Sequence, residues 1–190
     1  IIDWLNRVRE QARSGVIAPD QIHDCRGLLD EMRLIKGVDE LQIMQRAADI
    51  STQAHRRAMQ ATRPGMREYE IEAELLYTFH RHGARAPAYT SIVAGGANAC
   101  VLHYVENDDE LKSGDLLLID AGCELDGYAS DITRTFPVNG KFTAAQKDVY
   151  ELVLAAQAAA IAQVKPGSSW NDPHQAVLNA LAQGFIDLGL

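Results

Sequence analysis

Gly114-Asp115-Leu116-Leu117-Leu118-Ile119-Asp120-Ala121-Gly122-Cys123-Glu124-Leu125-Asp126-Gly127-Tyr128-Ala129-Ser130-Asp131-Ile132-Thr133-Arg134-Thr135-Phe136 is a pair of β-forming runs around a turn. The first run is apolar, Asp126-Gly127 is the turn signal, and Tyr, Ile, Thr and Phe fill the second. The stretch predicts an antiparallel hairpin, and its acids Asp120 and Asp131 decide what the hairpin is for. Side chains alternate with period two, and antiparallel partners share a face. With Asp126-Gly127 as the loop, Asp131 stands opposite Gly122; with Leu125-Asp126 as the loop, it stands opposite Asp120. Either register puts both carboxylates on one face, whereas a one-residue bulge would turn one of them away. Like charges side by side destabilise a sheet and call for compensation. A bound cation is the simplest compensator, because hard divalent ions take carboxylate oxygens and two ions about 3.5–4 Å apart can activate a water between them. A solvated strand end carrying two unrelated acids is the plainer alternative, and no third ligand is visible nearby.

Outside the hairpin the chain reads as helices and short strands. Residues 1–13 form a helical stretch with Ile2, Leu5 and Val8 on one stripe, broken by Ser14-Gly15. Leu28 to Gly37 reads as a brief extended piece leading into a long helix from Val38 to Arg63, its buried stripe being Ile43, Ala47, Ile50 and Ala54. Pro64-Gly65 ends it. A second helix is predicted from Glu68 to His82, with Ile71, Leu75 and Phe79 on one face and Gly83 as its stop. Ser91 to Ala94 reads as a strand, Gly95-Gly96 as a turn where backbone passes close to something, and Val101 to Tyr104 as a return strand. Downstream, Thr143-Ala144-Ala145-Gln146 is a capping box that opens an Ala-rich helix to Val164, ended at Pro166-Gly167. Asp172-Pro173 supplies an N-cap and a first-turn proline for a last helix with Val177, Leu181 and Phe185. Long helix, Pro-Gly, shorter helix thus occurs twice. The pattern points to a duplicated α+β architecture, with coincidence as the alternative, since Pro-Gly helix ends are common.

The formal net charge of −8 and the lack of clustered Lys and Arg argue against nucleic acid as a partner and suit a site that collects cations. No run approaches the 18–20 apolar residues of a membrane span. Cys25, Cys100 and Cys123 are odd in number and widely spaced, so neither a disulfide framework nor a zinc knuckle is expected, and reduced thiols in a cytoplasmic protein are the default. The chain opens on Ile1 inside a helix and closes on Leu190 inside an apolar stripe, so both ends read as cut. No Gly-x-Ser-x-Gly elbow, phosphate-binding Gly-rich loop or His-Glu-x-x-His is found. Among the histidines, His103 is the titrating group placed best to serve the hairpin, with a structural hydrogen-bonding role as the alternative. His23, His55, His80, His82 and His174 read as surface or packing residues.

Leu118-Ile119-Asp120-Ala121-Gly122-Cys123, Gly127-Tyr128 and Asp131 through Thr143 together resemble the metal-binding hairpin of the Xaa-Pro aminopeptidases (aminopeptidase P), in the creatinase or pita-bread metallopeptidase family. The likeness extends over Arg33-Leu34-Ile35-Lys36 with Glu40, Tyr89-Thr90-Ser91-Ile92-Val93 and Leu102-His103-Tyr104, and covers residues 28–190. It implies a partial pita-bread α+β domain over 28–190, with a first repeat at 28–142 and the opening helices of a second at 143–190, preceded by a linker helix at 1–27. It implies two divalent metal ions, usually manganese, with Asp120 a ligand to one and Asp131 bridging both. His103 would be the catalytic group that holds the peptide and steadies the tetrahedral intermediate, and Tyr89 would line the same pocket. The implied reaction is hydrolysis of the bond between an N-terminal residue and a following proline, by a hydroxide bridging the metals. The remaining His and two Glu ligands of the family have no counterpart here, so these residues alone are expected to be inactive. The full-length protein is expected to be a homo-oligomer. Two rivals remain: a prolidase, which cleaves Xaa-Pro dipeptides only, and a non-catalytic binding module of the same fold.

Overall fold

Asp126 and Gly127 both take positive φ, 50° and 86°, the left-handed pair that a two-residue hairpin turn needs to match the twist of its strands. In the computed structural model, which describes residues 1–190, this turn joins β4 (Cys123–Leu125) to β5 (Tyr128–Ala129), with Leu125 opposite Tyr128 and Glu124 opposite Ala129. The same register continues into the longer arms, β3 (Leu116–Ala121) and β6 (Ile132–Pro137), where Ala121 faces Ile132 and Asp120 faces Thr133. The hairpin is therefore the one closed by Asp126-Gly127. It is bent at Gly122 and Ser130-Asp131, so its arms serve two sheets. β2 (Ile92–Gly95), β3 and β6 form one; β1 (Ala86–Pro87), β4 and β5 form the other, antiparallel throughout.

The chain divides into two compact units, residues 1–42 and 43–190. In the first, α1 (Ile2–Glu10) passes through a short 3₁₀ turn to Gly15, and α2 spans Arg26–Leu34. The expected extended piece after Leu28 is thus a helix. Leu, Glu, Met and Arg are strong helix formers, and Asp24 supplies a start by accepting the Arg26 N–H at 2.9 Å. The helix reaches only Leu34; Ile35, at φ −111° and ψ 117°, is extended, so the expected piece shrinks to residues 35–37.

In the second unit the alternation of β3 sorts its side chains cleanly. Leu117, Ile119 and Ala121 face inward and join Val93 with α3 (Val38–Ala61) and α4 (Glu68–Arg81) in one buried cluster that holds Ala47, Ile50, Ala54, Ala58, Ile71, Leu75 and Phe79. Ile71, Leu75 and Phe79 are fully buried, each contributing about 1.5–3 kcal/mol of transfer free energy. The stripes read from the sequence are these faces. On the opposite side of the sheet, Ile92, Ala94 and Leu118 pack with Tyr104, and Asp120 lies on that face by its period-two spacing from Leu118.

The expected return strand at Val101–Tyr104 is absent. A 3₁₀ helix, Gly96–Cys100, follows β2, and the chain turns through His103 in a left-handed conformation, φ 57°. Downstream, α5 (Ala144–Ala162) starts on the capping box, Gln146 N–H to Thr143 Oγ1 at 3.3 Å and Thr143 N–H to Gln146 Oε1 at 2.9 Å. α6 (Asp172–Leu188) packs against it, the Leu152 methyl standing where a Gly184 side chain would be. Asn171 rather than Asp172 is the cap residue; Asp172 instead holds the preceding loop by accepting from Ser169 N–H and Oγ–H. No helix is long and apolar enough to cross a membrane.

Candidate metal centre

Asp131 follows from the register: it lies one step before the Ala121–Ile132 pair, opposite Gly122, on the face that carries Asp120. The two carboxylates are tied by a third residue. β1 runs beside β4, and Ala88 N–H donates to the Gly122 carbonyl at 2.9 Å, which delivers Tyr89 to the acids. The Tyr89 hydroxyl oxygen lies 2.6 Å from Asp120 Oδ1 and 2.8 Å from Asp131 Oδ1. One hydroxyl carries one proton and can donate to one of these oxygens at a time. Burial, followed by these two hydrogen bonds and the negative charge behind them, pushes the phenol well above its ordinary range. The proton therefore stays on Tyr89.

The layer beneath the acids holds the bend. Cys123 N–H is shared between Ser51 Oγ and Ser130 Oγ, 3.0 Å from each, and these two hydroxyls are 2.7 Å apart. Ser130 N–H donates to the Cys123 carbonyl at 2.9 Å. Buried His55 places Nε2 3.0 Å from the Ala121 carbonyl, while its Nδ1 has no partner. Burial is the main reason its pKa is lowered, only partly offset by that carbonyl. A neutral ring donating from Nε2 accounts for this arrangement.

Of the four residues singled out from the sequence, Asp120, Asp131 and Tyr89 come together. His103 does not touch them: it is exposed in its turn. Its neighbour Tyr104 nevertheless packs on Ile92, Ala94 and Leu118, which keeps the His103 turn on the Asp120 face of the sheet. The role of Tyr89 as a clamp on both acids had no signal in local sequence, because the residues lie 31 and 42 positions apart. Ser51 and Ser130 were equally hidden, since a serine within a helix or strand looks like any other polar residue.

Two carboxylates that share one proton form an all-oxygen donor set still short of positive charge, and this fits a hard divalent ion. No group of three or more His, Cys, Asp and Glu poised for a metal occurs in residues 1–190. A metal held by this pair would need further ligands besides.

Comparison with known proteins shows the family. The sequence pattern of metallopeptidase family M24 matches residues 42–189. This chain belongs to that family. It is 55% identical over 170 residues to the Xaa-Pro aminopeptidase of Haemophilus influenzae, covering 90% of this chain and 40% of that protein. The solved aminopeptidase PepP of Pseudomonas aeruginosa superposes with a TM-score of 0.90 at 52% identity, over 99% of this chain and 42% of that one. Zinc-substituted Escherichia coli aminopeptidase P in complex with product gives 0.89 at 46%, over 97% and 42%. The M24 chain described here thus spans about 40% of the length of the curated relatives it matches. The α+β pita-bread expectation is borne out by these neighbours.

Proposed function

We propose that this chain is the portion of a Xaa-Pro aminopeptidase that provides two of its metal-holding carboxylates and its substrate-side histidine. The observation that carries the reading is the single Tyr89 hydroxyl shared by Asp120 and Asp131. It brings two acids to one point on an open sheet face, where a divalent ion would satisfy both. The relatives named Xaa-Pro aminopeptidase support the assignment, and the product complex of the zinc-substituted E. coli enzyme supports a divalent metal. In this reading Asp120 and Asp131 hold two ions, manganese by preference. When bound, such ions polarise the scissile carbonyl and acidify a water. Tyr89 keeps the carboxylates aligned. His103 contacts the peptide, whose second residue is proline. The protein would act as a cytoplasmic homo-oligomer at its natural length.

Residues 1–190 carry two of the five ligands that the family likeness implies. Alone they should bind manganese weakly and hydrolyse nothing, which calorimetric titration and a Xaa-Pro tripeptide assay would check. The decisive experiment uses the protein at its natural length: Asp131→Asn should abolish manganese-dependent cleavage of a Xaa-Pro tripeptide. Retained cleavage overturns the proposal. A wild-type protein that cleaves only Xaa-Pro dipeptides would be a prolidase, and one that cleaves neither would be a binding module.

A further inference from the structure

Glu68, the first residue of α4, is fully buried, and its carboxylate accepts four hydrogen bonds. Gly95 N–H at 2.7 Å and Asn98 Nδ2–H at 3.0 Å donate to Oε1; the Tyr104 hydroxyl at 2.7 Å and Asp109 N–H at 3.0 Å donate to Oε2. A carboxylate has about four acceptor positions, so this one is filled. It also stands at a helix N-terminus, where the dipole favours negative charge. All four donors come from residues 95–109, the segment that carries His103. Two of them, Asn98 and Tyr104, flank it.

The segment has no regular structure across His103 to hold it. Past the 3₁₀ helix the backbone reverses at His103 with φ 57° and again at Asn107 with φ 49°, left-handed conformations uncommon outside glycine that His and Asn adopt more readily than most and that the surroundings here select. The surroundings are side chains. Asn107 ties the far end to β2, accepting from Val93 N–H at 2.9 Å and donating to the Ser91 carbonyl at 2.8 Å. Asn98 Nδ2 additionally reaches the Tyr104 hydroxyl at 3.0 Å and Asp109 Oδ2 at 2.8 Å. Tyr104 lays its ring on the Asp120 face and its hydroxyl on Glu68. Space is closed as well: a Cβ on Gly95 would stand 2.8 Å from Leu111 and 3.4 Å from Glu68 Oε1.

We propose that Glu68 is a positioning residue for the peptidase reaction, fixing the turn that presents His103 on the metal face by gathering Gly95, Asn98, Tyr104 and Asp109 onto one buried carboxylate. This rests on the reading of His103 as the peptide-contacting group. Glutamine in place of Glu68 keeps the size but replaces one oxygen with an N–H donor. On either side that donor meets another: Gly95 and Asn98 at one oxygen, Asp109 at the other. At least one part-buried N–H then loses its acceptor and the turn loosens. Loss of alignment at a reacting group costs rate out of proportion to the distance moved.

The test is a double-mutant cycle in the manganese-loaded protein at its natural length, assayed on a Xaa-Pro tripeptide, with metal affinity measured separately by calorimetry. Glu68→Gln should lower kcat/KM by roughly tenfold and leave manganese affinity unchanged. On a His103→Ala background the same substitution should change kcat/KM by less than about twofold, because the group it positions is gone. Tyr104→Phe, which removes one donor and leaves three, carries the cycle in the same direction if Glu68→Gln fails to fold. Losses that multiply on the His103→Ala background overturn the proposal and make Glu68 a scaffold residue. A fall in manganese affinity equal to the fall in kcat/KM overturns it too. If His103→Ala alone is silent, it is the peptide-contact reading that fails, and the positioning role falls with it.

Discussion

The Ser130 carbonyl oxygen occupies the place where a Gly122 side chain would begin, 1.7 Å from an ideal Cβ. Backbone crosses backbone at this point because the hairpin bends between its two sheets, with Asp131, opposite Gly122, within reach of the hydroxyl that also meets Asp120. Neither partner can yield, since Ser130 is held through its N–H and Oγ by Cys123. Gly122→Ala should therefore cost about 3 kcal/mol or more, as severe overpacking does. Urea unfolding gives the stability change, and a manganese titration should show the acid pair dispersed as well.

Asp126-Gly127 narrowed the hairpin to two registers in advance, both with the acids on one face, and the positive φ of both residues in the fold selects the one they close. The apolar stripes of α3 and α4 were readable for the same kind of reason: Ile71, Leu75 and Phe79 recur at helical spacing and nothing competes for them. The stretch from Val101 to Tyr104 was misleading. Its residues favour strands, yet the Tyr104 hydroxyl is claimed by Glu68 and the chain turns at His103 instead. That contact spans 36 positions, and no local pattern encodes it. The site divides along the same line. Asp120 and Asp131 lie on one hairpin and were legible as a pair, whereas the Tyr89 clamp and the Glu68 hub exist only after the chain has folded.

Thr143 opens α5 with a reciprocal cap, its hydroxyl oxygen accepting from Gln146 and its own N–H donating to the Gln146 side chain. Gln146 also donates to the Gly114 carbonyl at 2.9 Å, so the cap fastens the helix to the entry of β3. Thr143→Ala should destabilise by about 1 kcal/mol, the usual worth of an N-cap, and Thr143→Ser should be close to neutral. Both values are read from the midpoint of urea unfolding at constant slope.

His55 supplies a pH signature. Its folded pKa is depressed, mainly by burial, below the ordinary value of 6.5, so the folded state prefers the neutral ring. Stability from that preference is complete above pH 6.5 and is lost as the pH falls below it, because the unfolded chain takes up the proton first. The stability difference between the wild type and His55→Gln, measured by denaturant unfolding across pH 5–8, should be constant above about pH 6.5 and shrink below it. Glutamine retains an N–H for the Ala121 carbonyl, so the comparison isolates the titration. A difference independent of pH would mean that His55 titrates alike in the folded and unfolded chains.

Tyr89 and Asp131 separate alignment from metal holding. Tyr89→Phe keeps the ring but removes the proton that Asp120 and Asp131 share, leaving two carboxylates facing one another. Without metal the variant should lose about 1–2 kcal/mol, the scale of a hydrogen bond to a charged group at a part-exposed site. Both carboxylates remain, so manganese should still raise its melting temperature, by at least as much as in the wild type, because the ion now relieves a larger repulsion. Asp131→Asn acts the opposite way: it removes the repulsion, so the metal-free protein holds its stability, and it removes a ligand charge, so the manganese-induced shift should largely vanish. Thermal melts of the three proteins with and without manganese read both effects at once. A full shift retained in Asp131→Asn would mean that Asp131 holds no metal.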